Sequence, residues 1–215
     1  MEWRERVFQN FKLYAVTDLC DISAESVLRK AEDAFRGGVD IVQLRSKQLT
    51  DFRFLQIGQK IKKMAGRFRK LFFVNDRLDL AIALKADGIH LGQTDLPLPA
   101  ARKLIRQAGV RMKIGKSTCD IRQAREAVRD GADYIGVGPV YATPTKPGRK
   151  PAGLDYVRRV ARCIRIPWVA IGGIDLENID NVIAAGAGRI AVVRAIFEAK
   201  DAEFAARELK KRLER

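Results

Sequence analysis

The chain has 215 residues, 47% of them hydrophobic, with 41 Lys and Arg against 26 Asp and Glu and a formal net charge of +15. That length suits one full hydrophobic core, and no apolar run approaches the roughly 18 residues of a membrane span. Three scattered cysteines (Cys20, Cys119, Cys163) and a single histidine, His90, argue against a disulfide framework, a zinc site or a Ser-His-Asp triad.

The first residues, Met1 to Arg6, carry charges where a signal peptide needs an apolar stretch, so a soluble, cytoplasmic protein is expected. The cations are spread along the chain, as in Arg67-Phe-Arg-Lys70 and Lys210-Lys-Arg212, without an aromatic-interleaved block or a basic tail. They read as solvated helix faces rather than a nucleic-acid surface, although a general positive field draws in small polyanions.

Taken in order, short β-branched runs at 13–16, 41–44, 71–74, 88–91, 113–115, 134–137, 168–171 and 190–193 predict eight strands. Helical periodicity appears between them, for example at 24–35, 51–64, 121–129 and 154–162, and a last amphipathic helix falls within 199–215. A weak echo accompanies this alternation: Gly37-Gly-Val-Asp40, Lys85-Ala-Asp87, Gly131-Ala-Asp133 and Gly186-Ala-Gly-Arg189 each precede an apolar run. Its glycines fit helix C-caps. Repeated βα units imply a parallel sheet. Eight of them without a linker predict one TIM-barrel domain, (βα)₈, over residues 1–215, with an open doubly wound sheet as the alternative.

In a barrel the C-terminal strand ends share one mouth. Gln43, Arg45 and Lys47 follow the second strand, Asn75 and Asp76 the third, and His90, Gln93 and Asp95 the fourth. Ser117 follows the fifth, Thr143, Thr145 and Lys146 the sixth, Gly172-Gly173 the seventh, and Val193-Arg194 the eighth. The segment from Gly136 to Gly148, with its glycines, prolines, hydroxyls and lysine, suits an anionic ligand such as phosphate. Each group also has a plainer reading. Arg45 and Lys47 can be solvated loop charges, Asp76 a helix N-cap, Asp95 a turn cap, Ser117 a helix start and His90 a hydrogen-bonded wall residue. Two carboxylates amid cations make sense together if Mg²⁺ bridges Asp76, Asp95 and a diphosphate, with Arg45 and Lys47 neutralising the remainder.

Six motifs then stand in order: Gln43-Leu-Arg-Ser-Lys47, Val74-Asn-Asp76, Gly88-Ile-His-Leu-Gly-Gln-Thr-Asp95, Gly115-Lys-Ser117, Gly138-Pro-Val-Tyr-Ala-Thr-Pro-Thr-Lys146 and Ala170-Ile-Gly-Gly-Ile174. With them, the chain resembles the thiamine-phosphate synthase family from about Leu13 to Phe197. The resemblance implies a (βα)₈ barrel that joins hydroxymethylpyrimidine diphosphate to hydroxyethylthiazole phosphate and releases diphosphate. It implies that Gln43, Leu44, Arg45, Ser46, Lys47, Asn75, Ser117 and Lys146 hold the pyrimidine diphosphate, with Arg45, Lys47, Lys146 and Ser117 acting in catalysis. It assigns Asp76 and Asp95 to Mg²⁺, and Thr143, Pro144, Thr145, Gly173, Val193 and Arg194 to the thiazole phosphate. Two departures stand out: many relatives have His at the Cys119 position and Ser at the Arg194 position. A thiazole tautomerase-like relative is the nearest rival, but it would rely on that histidine and lack the Thr-x-Thr-Lys loop. The expected partners are the two small substrates, not nucleic acid or membrane; a homodimer is compatible with such a chain.

Overall fold

Period-two alternation along the strands sorts every barrel residue to one of two apolar layers. The computed structural model describes residues 3–18, 23–144, 148 and 150–215. Among them are eight strands: β1 (Leu13–Val16), β2 (Ile41–Leu44), β3 (Leu71–Asn75), β4 (Gly88–Leu91), β5 (Lys113–Thr118), β6 (Tyr134–Val137), β7 (Trp168–Ile171) and β8 (Ile190–Val192). They are parallel and close in sequence order, β1 pairing with β8 through Leu13 and Ile190. The expected eight-stranded barrel is therefore the fold. β5 runs three residues further than its apolar run, because Lys116, Ser117 and Thr118 pair with β6 despite their polarity.

Around the barrel lie α2 (Ala24–Arg36), α3 (Asp51–Arg67), α4 (Leu78–Ala83), α5 (Leu98–Gln107), α6 (Ile121–Arg129), α7 (Gly153–Cys163), α8 (Ile179–Ala184), α9 (Arg194–Phe197) and α10 (Ala202–Leu213), preceded by α1 (Trp3–Asn10). Side-chain oxygens start several of them: Asp120 Oδ1 accepts from Gln123 N at 2.8 Å and Asp201 Oδ1 from Phe204 N at 2.8 Å. α2 ends close against α10, where a Cβ on Gly37 would stand 2.4 Å from the Glu203 carbonyl oxygen, so only glycine fits.

The outward strand residues, such as Val42, Leu44, Phe72, Ile89 and Ile135, are fully buried against the helices. The inward ones form a second core of Tyr14, Ile41, Leu71, Phe73, Tyr134 and Val169. Large rings there depend on missing side chains opposite. A Cβ on Gly88 would lie 2.4 Å from the Phe73 ring, and one on Gly115 would lie 2.2 Å from the Tyr134 ring.

α1, whose sequence is mostly polar, closes the floor of this core. Its Phe8 packs at 6.0 Å edge-on to Tyr134 and at 6.5 Å on Phe73. Arg4 anchors it by a 2.8 Å ion pair to Asp87, and Glu5 by one of 3.0 Å to Lys113.

The sequence echo is a repeated device at that same N-terminal end. Asp40 Oδ2 accepts from Lys12 N at 2.8 Å, Asp87 Oδ2 from Phe72 N at 3.0 Å, and Asp133 Oδ2 from Ile114 N at 2.7 Å. Each aspartate thus ties the start of its own strand to the strand before, at the face where barrels hold stability rather than catalysis. No helix among the described residues is long and apolar enough to cross a membrane.

Candidate active site at the barrel mouth

At the opposite end, a cavity of about 240 Å³ is lined by residues from all eight strands or the segments that follow them, Gln43, Arg45, Asn75, Ser117, Thr143, Gly173, Val193 and Arg194 among them. The eight named all belong to the group singled out in the sequence.

β1 and β2 build the first wall. Thr17, just past β1, accepts from Arg45 N at 2.9 Å through Oγ1 and donates from it to the Arg45 carbonyl at 3.2 Å. This extends the strand pairing and holds Arg45 in place. Its guanidinium is only 7% exposed and pairs with Asp18 at 2.7 Å. Leu44 points the other way, into the helix-facing core, so only its backbone is near the mouth. The Ser46 hydroxyl accepts from Gln48 N and Leu49 N, each at 3.2 Å, and so shapes the turn, while Lys47 is exposed on the rim.

A line of hydrogen bonds crosses the pocket floor. Gln43 Nε2 donates to Tyr14 Oη at 2.6 Å, and the Tyr14 and Tyr134 hydroxyls meet at 3.1 Å. Tyr134 Oη lies 2.9 Å from His90 Nδ1, and His90 Nε2 lies 2.8 Å from Ser117 Oγ. Burial pushes the pKa of both tyrosines above the ordinary phenol value, so both stay protonated. With the Gln43 amide as first donor, each hydroxyl can donate onward and every buried group is satisfied. The His90 proton then sits on Nε2 and is given to Ser117, leaving the Ser117 hydroxyl hydrogen for the cavity. The plain reading of His90 as a hydrogen-bonded wall residue fits this arrangement.

β3 and β4 bring the two carboxylates to adjoining rims. Asp76 has left-handed backbone (φ 59°) and its N–H donates to the His90 carbonyl at 2.9 Å. It does not cap α4, whose N-cap position is Arg77. Arg77 binds Asp51 at 2.7 Å and Asp79 at 2.6 Å, which engages the two neighbouring carboxylates. Asp95 Oδ2 accepts from Gly92 N at 2.5 Å, as its turn-capping reading expects. The Lys116 ammonium donates to the Gly92 carbonyl at 2.7 Å, and Gln93 Nε2 to the Ser117 carbonyl at 2.5 Å. Burial lowers the Lys116 pKa, against the opposing pull of Asp95 and Asp130. Two carboxylates on adjacent strand ends are hard oxygen donors, a set that fits Mg²⁺ completed by water and phosphate oxygens. Among the described residues, no three His, Cys, Asp or Glu side chains form a metal cluster.

Across the mouth, Gly172 and Gly173 (φ 106° and 66°) let the β6 segment lie against the end of β7. A Cβ on Gly172 would stand 2.5 Å from Pro139 Cβ, and one on Gly173 would stand 2.8 Å from the Ala142 carbonyl oxygen. Val140 N and Tyr141 N donate to the carbonyls of Ile171 and Gly172 at 2.9 Å each. Thr143 reaches the cavity from that segment, and Pro144 beside it is exposed. Thr145 and Lys146 lie outside the described residues. Arg194 is exposed at the start of α9 and also lines the cavity.

The sequence analysis did not single out Tyr14, Tyr134, Asp18 or Asp175. Asp175 lines the cavity and orders the β7–α8 loop, accepting from Glu177 N at 3.0 Å and Asn178 N at 3.2 Å. It directly follows the Ala170-Ile-Gly-Gly-Ile174 motif, and that position was the available signal.

A parallel eight-stranded barrel with polar groups and a pocket at its C-terminal mouth is the architecture of the TIM-barrel enzymes. Residues 13–196 match the model of the thiamine monophosphate synthase family, and the chain belongs to that family. It is 50% identical over 192 residues to thiamine-phosphate synthase of Thermus thermophilus, covering 89% of this chain and 91% of that one. It is 45% identical over 197 residues to the Nostoc sp. thiamine-phosphate synthase, covering 92% of this chain but 54% of the relative, so it spans about half of that longer protein. The solved thiamine phosphate pyrophosphorylase of Pyrococcus furiosus superposes with a TM-score of 0.85 at 35% identity, over 95% of this chain and 96% of that one.

Proposed function

We propose that the chain joins hydroxymethylpyrimidine diphosphate to hydroxyethylthiazole phosphate, forming thiamine phosphate and releasing diphosphate. The observation that carries this reading is the convergence of Gln43, Arg45, Asn75, Ser117, Thr143, Gly173 and Arg194 on a single cavity, in a chain of this family.

Arg45 and Ser117 would bind the diphosphate, with Lys47 and Lys146 adding charge and Gln43 and Asn75 orienting the pyrimidine end. Thr143, Pro144, Thr145, Gly173, Val193 and Arg194 would hold the thiazole phosphate. Asp76 and Asp95 would hold Mg²⁺, which when bound supplies neutralising charge beside the diphosphate. The bond between the pyrimidine methylene carbon and the diphosphate oxygen breaks with its electron pair leaving on oxygen. The aminopyrimidine delocalises the methylene cation, and the thiazole nitrogen then forms the new C–N bond.

Protein groups act on the departing charge, not as nucleophiles. The Arg45 guanidinium and the Ser117 hydroxyl stabilise the diphosphate oxygens as charge builds there. Holding both substrates in one cavity removes the entropy cost of their encounter. Incubating the purified chain with both substrates and MgCl₂ should yield thiamine phosphate. No product when both substrates and the metal are present would refute the proposal.

A further inference from the structure

Lys116 is part of the Gly115-Lys-Ser117 motif, yet the proposed chemistry gives it no task. It is half-buried and does not line the cavity. Its Cα pairs with Leu91 across the β4–β5 ladder, and its ammonium runs to the Gly92 carbonyl at 2.7 Å. The Gly92 N–H in turn holds Asp95 Oδ2 at 2.5 Å. One residue therefore receives the lysine on one side and clamps the carboxylate on the other.

Resting on the function proposed above, we infer that Lys116 is a positioning residue for Asp95: by fixing Gly92, it sets where that carboxylate stands for a divalent cation. A partner that orients a metal-binding group without touching the metal commonly changes metal affinity about tenfold or more. The alternative is that Lys116 acts only as a nearby charge, with Asp95 and Asp130 facing it. The two differ in sign. Removing a mere like charge tightens cation binding, whereas removing an anchor weakens it.

The test titrates the full chain with MnCl₂ alone, reading free Mn²⁺ by electron paramagnetic resonance, for the wild type, K116M, K116R, D95N and the K116M/D95N double variant. K116M should weaken Mn²⁺ binding about tenfold, in the range typical of such supporting groups. K116R, which keeps the donor and the charge, should stay within about twofold. The double variant should bind no worse than D95N, because both changes act through one carboxylate. K116A is read in the same way if K116M does not fold. Wild-type or tighter binding by K116M, beside weakened D95N, overturns the inference and leaves the metal assignment standing. Full additivity in the double variant also overturns it. Wild-type binding by D95N removes the metal assignment itself, and the inference with it.

Discussion

Ser117 Oγ accepts its hydrogen bond from a histidine whose other ring nitrogen leans on Tyr134, so His90 and Ser117, 27 residues apart, act as one unit 2.8 Å across. That contact links the packed floor of the barrel to the cavity at its mouth. The aromatic core sets the orientation of a group proposed to meet the departing diphosphate.

Y134F tests the link. Removing the hydroxyl takes one buried hydrogen bond each from Tyr14, which keeps Gln43, and from His90, which keeps Ser117, and costs about 1–3 kcal/mol of stability. Ser117 should lose its fixed orientation, and kcat should fall about tenfold, equivalent to roughly 1.4 kcal/mol. Denaturant unfolding and steady-state kinetics check both. Wild-type kcat in a destabilised Y134F would separate the core from the chemistry.

Arg45 is buried with Asp18, so R45K is not a conservative change. A lysine lacks the planar fork, and it must be desolvated in the same place. We expect kcat/KM to fall about 100-fold, within the range seen when one donor to a developing anion is removed. Kinetics with the pyrimidine diphosphate as varied substrate measure it. A loss below about threefold would show that Arg45 serves only its ion pair.

At the other end of the barrel, Asp40 accepts from the Lys12 and Leu13 N–H groups and pairs with Lys70 at 2.7 Å and with Lys210. Burial raises its pKa, but Lys70 and Lys210 outweigh burial and hold the carboxyl below its ordinary value. A depressed carboxylate adds stability that is complete above its unfolded pKa of about 3.9 and is lost as pH falls toward the folded value. D40N should therefore cost about 2–3 kcal/mol at neutral pH, between the exposed and fully buried pair ranges, without changing kcat. The gap between wild type and D40N should narrow below about pH 4, near the carboxylate reference value. Melting curves across pH 3 to 7 check it; a gap constant with pH would contradict the assignment.

G173A probes the loop that carries Thr143. The left-handed φ of 66° and the 2.8 Å approach of the Ala142 oxygen both reject a methyl group. The strain costs about 1–3 kcal/mol. The β6 segment should shift and KM for the thiazole phosphate should rise several-fold. Unchanged KM would remove the glycine pair from that subsite.

Much of this was legible beforehand, for reasons that can be named. Strands such as Ile41–Leu44 are buried on both faces and bounded by turn residues, so their apolar runs stand out. Gln43 and Arg45 were readable because polar groups at a strand end have no packing reason to be there. α1 was not readable, since eight mostly polar residues carry little helical signal and their helix is held by Phe8 under the barrel. Tyr14 and Tyr134 resembled ordinary strand aromatics; their hydroxyls meet across 120 residues of chain. Asp40, Asp87 and Asp133 showed as a repeat, but the strand N–H each binds becomes visible only in the closed barrel.

The most direct test of the proposed diphosphate site at the mouth is calorimetry with inorganic diphosphate and MgCl₂, comparing the wild-type chain with R45A. Saturable binding at one site per chain, lost or weakened at least tenfold in R45A, is the predicted result. Equal binding by both proteins, or none by the wild type, would contradict it.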